Sequence, residues 1–158
     1  MGIAVPAQVG APDSVTLEKL ISWPKHKDDG VKYFSGTATY VKQFDVPEAM
    51  IGEGKTLYLN LGEVKNLAEV SLNGQNLGVL WKPPFRVEIS GVAKPGANRL
   101  EIKVTNLWPN RLIGDQKLPE KDRFTWTTFN PYKADSPLLD SGLLGPVMLQ
   151  PALRVEVK

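Results

Sequence analysis

Residues 67–81, LAEVSLNGQNLGVLW, decide the fold class of this chain. Ala68, Val70 and Leu72 alternate with other residues, which is the period of a strand with one buried face. Asn73-Gly74 follows, and both residue types tolerate the positive φ angles of a two-residue hairpin turn. NLGVLW then predicts the returning strand. A strand, a tight turn and a second strand predict an antiparallel sheet.

Strand patterns of the same kind occupy most of the chain after Gly36. β-branched, aromatic and aliphatic residues predict further strands in TATYVKQFDV, KTLYLNLG, FRVEIS, LEIKVTN, FTWTTF, GPVML and LRVEVK. Turn signals such as Pro95-Gly96 separate these stretches. Many short strands, with turns every ~8 to 12 residues, favour an all-β antiparallel β-sandwich over a fold of alternating strands and helices.

The composition fits one globular domain that can bury a hydrophobic core. The chain has 158 residues, of which 42% are hydrophobic and 23% charged. Its net charge of +2 comes from 19 basic and 17 acidic residues that are scattered, so no basic block indicates a nucleic-acid or membrane surface. No stretch approaches the roughly 20 apolar residues of a membrane span. The absence of cysteine excludes disulfides, thiol catalysis and thiolate zinc sites.

The beginning of the chain differs from the rest. Residues 1–13 are rich in Ala, Pro and Gly and are predicted to be a linker or a cloning-derived segment, with the β-sandwich domain over residues 14–158. SVTLEKLISW, residues 14–23, predicts one or two helical turns. The first residues lack the basic and long apolar regions of a signal peptide. If the domain is secreted, its signal lies outside this sequence.

Two long connections interrupt the strand pattern. They are LWPNRLIGDQKLPEKDR, residues 107–123, and NPYKADSPLLDSGLLG, residues 130–145. Long loops in a compact domain are usually functional or packed against a neighbour. A binding site is therefore expected near these two segments.

Catalytic chemistry finds little support in the sequence. His26 is the only histidine, and no nucleophile-elbow pattern is present. The nearest approaches to paired carboxylates are Asp28-Asp29 and Glu120/Asp122. Glycosidic cleavage needs two carboxyl groups held across a cleft, whereas adjacent aspartates point in different directions. Asp28 and Asp29 are predicted to be surface charges, and a structural calcium ion bound by them stays an open alternative.

Aromatic residues next to planar polar groups form the remaining candidate site. Sugars pack C–H faces on indole or phenol rings, and their hydroxyls need amide, carboxylate or guanidinium partners. The candidate carbohydrate-binding residues are Trp81, Lys82, Trp108, Asn110, Arg111, Trp126 and Tyr132.

For several of these residues a structural role is an open alternative. Trp108 continues the inward face of its strand and Trp126 lies in the alternating FTWTTF, so both would pack in the core. Arg111 would form an ion pair with Asp115 that orders their loop. Trp81, which precedes a rigid Lys-Pro-Pro loop, is the best candidate for an exposed platform.

Three stretches together resemble a known family. They are YFSGTATYVKQFDVP, LYLNLGEVKNLAEVSLNGQNLGVLWKPPFRVEIS and KPGANRLEIKVTNLWPNRLIGD. The motif SGLLGPV, residues 141–147, also fits the family. They are similar to the non-catalytic, sugar-binding jelly-roll domain of glycoside hydrolase family 2. The resemblance is closest to the version at the C-terminus of family 106 α-L-rhamnosidase-like proteins, and it covers about residues 22–150.

The resemblance implies a galactose-binding-like jelly roll attached to a larger hydrolase whose catalytic residues belong to a separate barrel domain. In family 2 enzymes the loop after the hairpin can approach the barrel's substrate pocket, and that loop maps here to Trp81, Lys82, Pro83 and Pro84. An autonomous glycosidase therefore has little support.

Two functional hypotheses remain. The first is a non-catalytic carbohydrate-binding module that attaches a linked glycoside hydrolase to plant or algal polysaccharide. The second is a structural sandwich that docks on the barrel of a family 2 or family 106-like glycosidase without its own ligand. The expected partners are a polysaccharide or oligosaccharide and the parent's catalytic domain, without nucleic acid or membrane, in a secreted or periplasmic location. Exposed aromatics that line one groove favour the first, and a flat apolar patch favours the second.

Overall fold

The computed structural model of the chain describes residues 1–4 and 10–153. These residues form eleven strands and two short α-helices. The strands are β1 (Gly2–Ala4), β2 (Ser14–Thr16), β3 (Thr37–Val46), β4 (Lys55–Asn60), β5 (Glu63–Lys65), β6 (Leu67–Leu72), β7 (Gln75–Leu80), β8 (Arg86–Glu88), β9 (Gly96–Thr105), β10 (Gly142–Gly145) and β11 (Met148–Leu153). Every paired strand is antiparallel to its neighbour, which confirms the predicted all-β class.

The strands form three sheets. The largest has the order β2-β1-β3-β9-β6-β7, a second has the order β11-β4-β8, and a small third sheet pairs β10 with β5. At the centre of the largest sheet, β3 and β9 pair along their whole length, from Thr37 opposite Thr105 to Val46 opposite Gly96. The hairpin of β6 and β7 turns at Asn73 and Gly74, both with positive φ, as the sequence predicts.

The core lies between the largest sheet and the other two, because apolar residues of all three sheets belong to one buried cluster. Its members include Ala38, Tyr40, Val70, Leu72, Leu100, Ile102 and Val104 from the largest sheet, Leu57 and Leu59 from β4, and Val64 and Leu143 from the small sheet. The alternation predicted for β6 appears directly as buried Ala68, Val70 and Leu72. The fold is therefore the predicted β-sandwich.

Two close approaches tie the small sheet into the sandwich. Gly62 forms an isolated bridge with Gly145, and a Cβ atom on Gly62 would lie 2.3 Å from the backbone C and O atoms of Gly145. In the core, the Tyr40 hydroxyl accepts hydrogen bonds from Trp23 Nε1 at 2.7 Å and from the backbone N of Leu143 at 3.0 Å. Burial raises the pKa of Tyr40 above its ordinary value of 10.0, although both hydrogen bonds act in the opposite direction.

The helices lie outside the sheets. α1 covers Asp29–Lys32, α2 covers Pro109–Asp115, and single 3-10 turns occur at Trp23–Lys25, Glu48–Met50 and Glu120–Asp122. α2 begins with Pro109, whose missing N–H costs nothing at a helix start. It occupies part of the predicted long connection 107–123, and the sequence pattern did not reveal it.

Two local predictions are wrong. Residues 14–23 do not form helical turns, because Ser14–Thr16 add a strand to the largest sheet beside β1. FTWTTF is not a strand, since residues 123–141 contain no helix or strand. Its alternating pattern has no strand partner, and backbone groups there bind side chains instead.

Two further predictions concern the two ends of the chain. Residues 2–4 of the segment predicted as a linker pair with β2 and β3 in the largest sheet. The division into residues 1–13 and 14–158 stays a prediction. Of the stretch LRVEVK, only Leu153 lies within the described residues, at the end of β11.

Candidate functional site

Exposed apolar side chains are concentrated in one part of the described chain. Large hydrophobic residues that face solvent between residues 107 and 139 are Leu107, Trp108, Phe124, Trp126, Phe129 and Leu139. Such a group marks an interaction site more often than scattered single residues do. Trp126 is the most exposed of them, with 83% of its surface accessible.

Trp126 borders a groove of about 500 Å³ between α2 and the segment that follows it. The lining combines aromatic rings with amide, carboxylate, hydroxyl and guanidinium groups. It consists of Leu112, Asp115, Gln116, Glu120, Arg123, Phe124, Thr125, Trp126, Thr127 and Asn130. We call this the Trp126 groove. An exposed indole gives a flat face for C–H groups, and the polar neighbours can exchange hydrogen bonds with hydroxyls.

Helix α2 supplies one wall of the groove and a buried ion pair behind it. Arg111 and Asp115 are four residues apart, and their Nη2 and Oδ1 atoms are 3.0 Å apart. Both side chains are almost inaccessible to solvent, with 6% and 2% exposed. The ion pair predicted as an alternative for Arg111 is therefore confirmed. The Arg111 guanidinium also lies over two aromatic rings, 4.8 Å from the centroid of Phe124 and 5.9 Å from that of Tyr33.

The other oxygen of Asp115 holds the wall that carries Trp126. Asp115 Oδ2 accepts hydrogen bonds from the backbone N of Thr125 at 2.9 Å and from the Thr125 hydroxyl. On the far side of the groove, Asn130 Nδ2 donates to the Leu112 carbonyl at 3.4 Å. These side-chain contacts replace the backbone ladder that a strand would have supplied.

Only part of the predicted site meets at this groove. Trp126 borders it and is exposed, so its alternative assignment to the core is wrong. Arg111 lies behind the groove, buried against Phe124. Tyr132 is half-buried, and its backbone N donates to Asn130 Oδ1 at 2.9 Å.

Trp108 and Asn110 lie at the other end of α2. Trp108 is 69% exposed, so the alternative that it closes the core is also wrong; the strand ends at Thr105 and its inward alternation stops there. Asn110 is buried, and its amide binds the backbone of Leu139 twice, donating to the carbonyl at 2.7 Å and accepting from the N at 2.8 Å. These contacts correct the expectation that Asn110 faces a sugar, because its amide is already used within the fold.

Trp81 and Lys82 follow β7 and do not line the Trp126 groove. Trp81 is 66% exposed, in agreement with the predicted platform. The Lys82 ammonium lies 5.1 Å from the centroid of the Trp81 ring, so one face of the indole carries a cation.

Sequence reasoning missed most of the polar lining. Thr125, Gln116 and Asn130 are ordinary loop residues in the sequence, and only the fold brings them beside Trp126. Asp115 had a readable signal, because it follows Arg111 by four residues after a proline that is typical of a helix start.

A second groove of about 300 Å³ lies near the other end of α2. Its lining consists of Lys65, Asn66, Leu107, Leu139, Asp140 and Ser141. A hydrogen bond from Lys65 to Glu63 and the charge of Glu63 raise the pKa of the Lys65 ammonium above its ordinary value. We call this the Leu107 groove.

The described residues give no support to a metal site. Within residues 1–4 and 10–153, no group of three or more His, Asp or Glu side chains is placed to hold a metal ion. Asp28 caps α1, because its Oδ1 accepts from the backbone N of Gly30 at 2.8 Å. His26 Nδ1 accepts from the backbone N of Asp28. No helix in the described part of the chain has the length and apolar character needed to cross a membrane.

A family model described as "Glycosyl hydrolase 2 galactose-binding domain-like" matches residues 21–135, which is most of the chain. The chain belongs to this family. The family-level resemblance seen in the sequence is thereby confirmed.

Two relatives place the domain within much larger proteins. The chain is 39% identical to a "Putative beta-glucuronidase" of Formosa agariphila, in a match that covers 93% of this chain and 15% of that protein. It is 47% identical to a rhamnosidase of Novosphingobium sp. PP1Y, with a TM-score of 0.89 over 96% of this chain and 14% of the rhamnosidase. A β-D-glucuronidase of Dictyoglomus thermophilum shares the fold, with a TM-score of 0.56 and 22% identity over 66% of this chain and 18% of that enzyme.

The galactose-binding domain-like family therefore occurs here as a small part of large glycoside hydrolases. The names of these relatives describe the whole proteins, of which the matched domain is a small part. The position of the domain along a parent chain stays a prediction, as does every sugar contact of the candidate residues.

Proposed function

We propose that this chain is a non-catalytic carbohydrate-binding module that attaches a linked glycoside hydrolase to plant or algal polysaccharide. The Trp126 groove is its binding site. The observation that carries the proposal is the indole of Trp126, which stands 83% exposed at the edge of a groove lined by amide, hydroxyl and carboxylate groups. Covering an exposed ring of this size with a ligand removes apolar surface from water, which favours binding.

The groove combines the two kinds of contact that sugars need. Trp126 and Phe124 offer aromatic surface, while Gln116 and Asn130 offer amide donors and acceptors. Glu120 and Arg123 add one charge of each sign. The mixed lining favours a hydroxyl-rich ligand over a purely apolar partner.

The family supports a parent enzyme that acts on carbohydrate. Two relatives carry the names "Putative beta-glucuronidase" and rhamnosidase, and the chain matches only 15% and 14% of their lengths. In this proposal the catalytic residues belong to another domain of the parent, and the whole protein is secreted or periplasmic, where polysaccharide is found.

Affinity gel electrophoresis of the purified chain against β-glucans, xylans, mannans and rhamnose-containing pectins tests the proposal. We expect retardation with one class of polysaccharide. Trp126→Ala should reduce the affinity by about tenfold or more, since one stacked ring is worth on the order of 1.4 kcal/mol. The melting temperature should change by less than about 2 °C, because the exposed indole contributes little to the core.

Trp81→Ala is the matched control, since Trp81 is also an exposed tryptophan but lies outside the groove. It should bind like the wild type. Loss of binding in Trp81→Ala, with binding retained in Trp126→Ala, would move the site to the Lys-Pro-Pro loop that follows β7.

Docking on the catalytic domain of the parent is the second candidate function. The Leu107 groove favours it, because Leu107 and Leu139 remain exposed there although the backbone beside each is fixed: Ser35 Oγ binds the Leu107 carbonyl and Asn110 binds Leu139. A folded sample that no polysaccharide retards, but that binds the separately produced catalytic domain of its parent, would establish this second function instead.

A further inference from the structure

The segment that carries Trp126 has no regular secondary structure to hold it. Residues 123–141 contain neither helix nor strand, yet Trp126 stands out at the edge of a defined groove. An exposed side chain on an irregular segment is ordinarily free to move, and a binding site on such a segment loses affinity to the entropy of ordering. The order of this segment must therefore come from particular side-chain contacts.

The residue next to Trp126 is fixed by such a contact. Thr125 offers both its backbone N and its hydroxyl to a single oxygen of Asp115. Asp115 is the last residue of α2 and is 2% exposed, so its carboxylate accepts these bonds out of water, where a charge-assisted hydrogen bond is strong.

The carboxylate is itself held by a buried cation. Arg111 Nη2 lies 3.0 Å from Asp115 Oδ1, and the guanidinium packs over the ring of Phe124, the residue before Thr125. Arg111 thus contacts Phe124 and Asp115 binds Thr125, which are the two consecutive residues immediately before Trp126.

The ion pair is poorly arranged for stability alone. Arg111 Nε and Asp115 Oδ1 are buried without a well-aligned hydrogen bond. Within the described part of the chain, they are the buried side-chain nitrogen and oxygen atoms that lack a hydrogen-bond partner. A buried ion pair with incomplete hydrogen bonding is weak support for a fold, and hydrophobic residues of similar size often do as well. An incompletely bonded buried polar group requires an explanation, and a dependent functional site is one such explanation.

We propose that Asp115 is a positioning residue of the Trp126 groove. Through Thr125 it holds the Trp126 indole in its binding orientation before the ligand arrives, with Arg111 fixing the carboxylate. This inference rests on the proposed carbohydrate-binding function, and it adds the device that pre-organises the site.

Thr125 gives the cleanest test, because Asp115 variants leave an unpaired buried arginine and can fail to fold. Thr125→Val keeps the shape and the backbone N–H of the residue but removes the hydroxyl donor. Thr125→Ser keeps the hydroxyl. We expect Thr125→Val to weaken polysaccharide binding about fivefold to tenfold and Thr125→Ser to bind within about twofold of the wild type.

A second readout separates positioning from general stability. The indole N–H resonance of Trp126, assigned by its loss in Trp126→Phe, reports the order of that ring through ¹⁵N relaxation. In Thr125→Val the order parameter should fall for Trp126 and stay unchanged for the buried indole of Trp23. A uniform change at both indoles would indicate a general loosening and would overturn the positioning role.

The two proposals fail in different ways. Wild-type binding in Thr125→Val, together with lost binding in Trp126→Ala, would overturn the role of Asp115 and leave the binding site standing. If no polysaccharide binds the wild type, the carbohydrate function fails, and the relaxation of Trp126 in Thr125→Val still decides whether the indole is held through Thr125.

Discussion

Tyr40 joins three parts of the chain through a single hydroxyl. Its oxygen accepts from Trp23 Nε1 and from the backbone N of Leu143, and the residue is completely buried. Trp23 precedes the first long strand and Leu143 lies near the end of the domain. One oxygen therefore satisfies two buried donors that have no access to water, and each would cost about 1–3 kcal/mol if left unpaired.

Tyr40 also makes the stability of the protein depend on pH in the alkaline range. Burial raises the pKa of Tyr40 in the folded state above the ordinary 10.0, so the folded protein holds this proton more tightly than the unfolded chain does. The contribution is fully present below pH 10.0 and is lost as the pH rises from there through the folded-state pKa.

We expect urea unfolding of the wild type, followed between about pH 8 and pH 11.5, to show this loss of stability above pH 10. Tyr40→Phe should be less stable by about 2 kcal/mol or more at pH 8, and it should lose less stability on going to high pH. The difference between the two proteins isolates Tyr40 from the lysines that titrate in the same range. Parallel curves would contradict the assignment.

Single residues were also where sequence reasoning had most difficulty. Trp108 and Trp126 both continue an alternating pattern, and both face solvent. The pattern predicts an inward direction only while the backbone remains a strand. The strand β9 ends at Thr105, before Trp108, and residues 123–141 around Trp126 contain no strand. Trp81 follows a strand end and precedes a proline-rich loop, so its exposure was predictable.

Helix α2 is the element that organises both candidate surfaces. Asn110 near its start binds the backbone of Leu139, and Asp115 at its end binds Thr125. With seven residues it is too short to be stable alone, so its packing must hold it in place. Gly114 lies in its last turn, against the side chains of Arg111 and Tyr33.

A substitution at Gly114 tests that packing. Alanine normally stabilises a helix relative to glycine by about 1 kcal/mol. Here a Cβ atom would lie 2.6 Å from Arg111 Nη2 and 2.7 Å from Tyr33 Cβ, which is too close. We expect Gly114→Ala to destabilise the protein by about 1–3 kcal/mol in urea unfolding, the reverse of the intrinsic helix effect.

Gly91→Ala is the control for this measurement. Gly91 is exposed, and a Cβ atom there would meet nothing within 4 Å. It should change the stability by no more than about 0.5 kcal/mol. A Gly114→Ala protein that is more stable than the wild type would mean that both Arg111 and Tyr33 move aside at little cost.

At the level of elements, the strands were predictable and α2 was not. The ten residues of β3 match the predicted stretch TATYVKQFDV at both ends, because β-branched and aromatic residues are frequent there and Ala38, Tyr40 and Phe44 share one face. PNRLIGD contains too few apolar residues to show a helical period, and its buried residues include the ion pair of Arg111 and Asp115.

In the molecule as a whole, the crossing of Gly62 and Gly145 is a close backbone contact between separate parts of the sandwich. Both glycines have positive φ angles, and the bridge joins the segment after β4 to the end of β10. The glycines are required there for two separate reasons, the backbone conformation and the lack of space for a side chain.

Two alanine substitutions separate these reasons. Gly54 has a φ of +72° in open space, whereas Gly62 has a φ of +67° and would place a Cβ atom 2.3 Å from the Gly145 backbone. Gly54→Ala should cost about 1–2 kcal/mol for the left-handed conformation alone. Gly62→Ala should cost at least about 2 kcal/mol more, measured by urea unfolding under the same conditions. Equal losses would show that the crossing can widen freely.

The β-sandwich could be predicted from the sequence more completely than the candidate site. Alternation fixes which residues face inward, and the hairpin at Asn73-Gly74 fixes an antiparallel neighbour. The Trp126 groove depends on contacts between residues far from strand positions, such as Asn130 with Leu112, and no local pattern encodes them.

The pairing of β3 with β9 has a consequence for synthesis on the ribosome. In the two central strands of the largest sheet, β3 ends at Val46 and β9 is complete only at Thr105, 59 residues later, so β3 leaves the exit tunnel long before its partner is complete. At a translation rate of about 5–20 residues per second, its apolar face waits for about 3–12 seconds. During that interval nascent chains on neighbouring ribosomes can pair through β3, and holding by a chaperone would protect yield without altering the final fold.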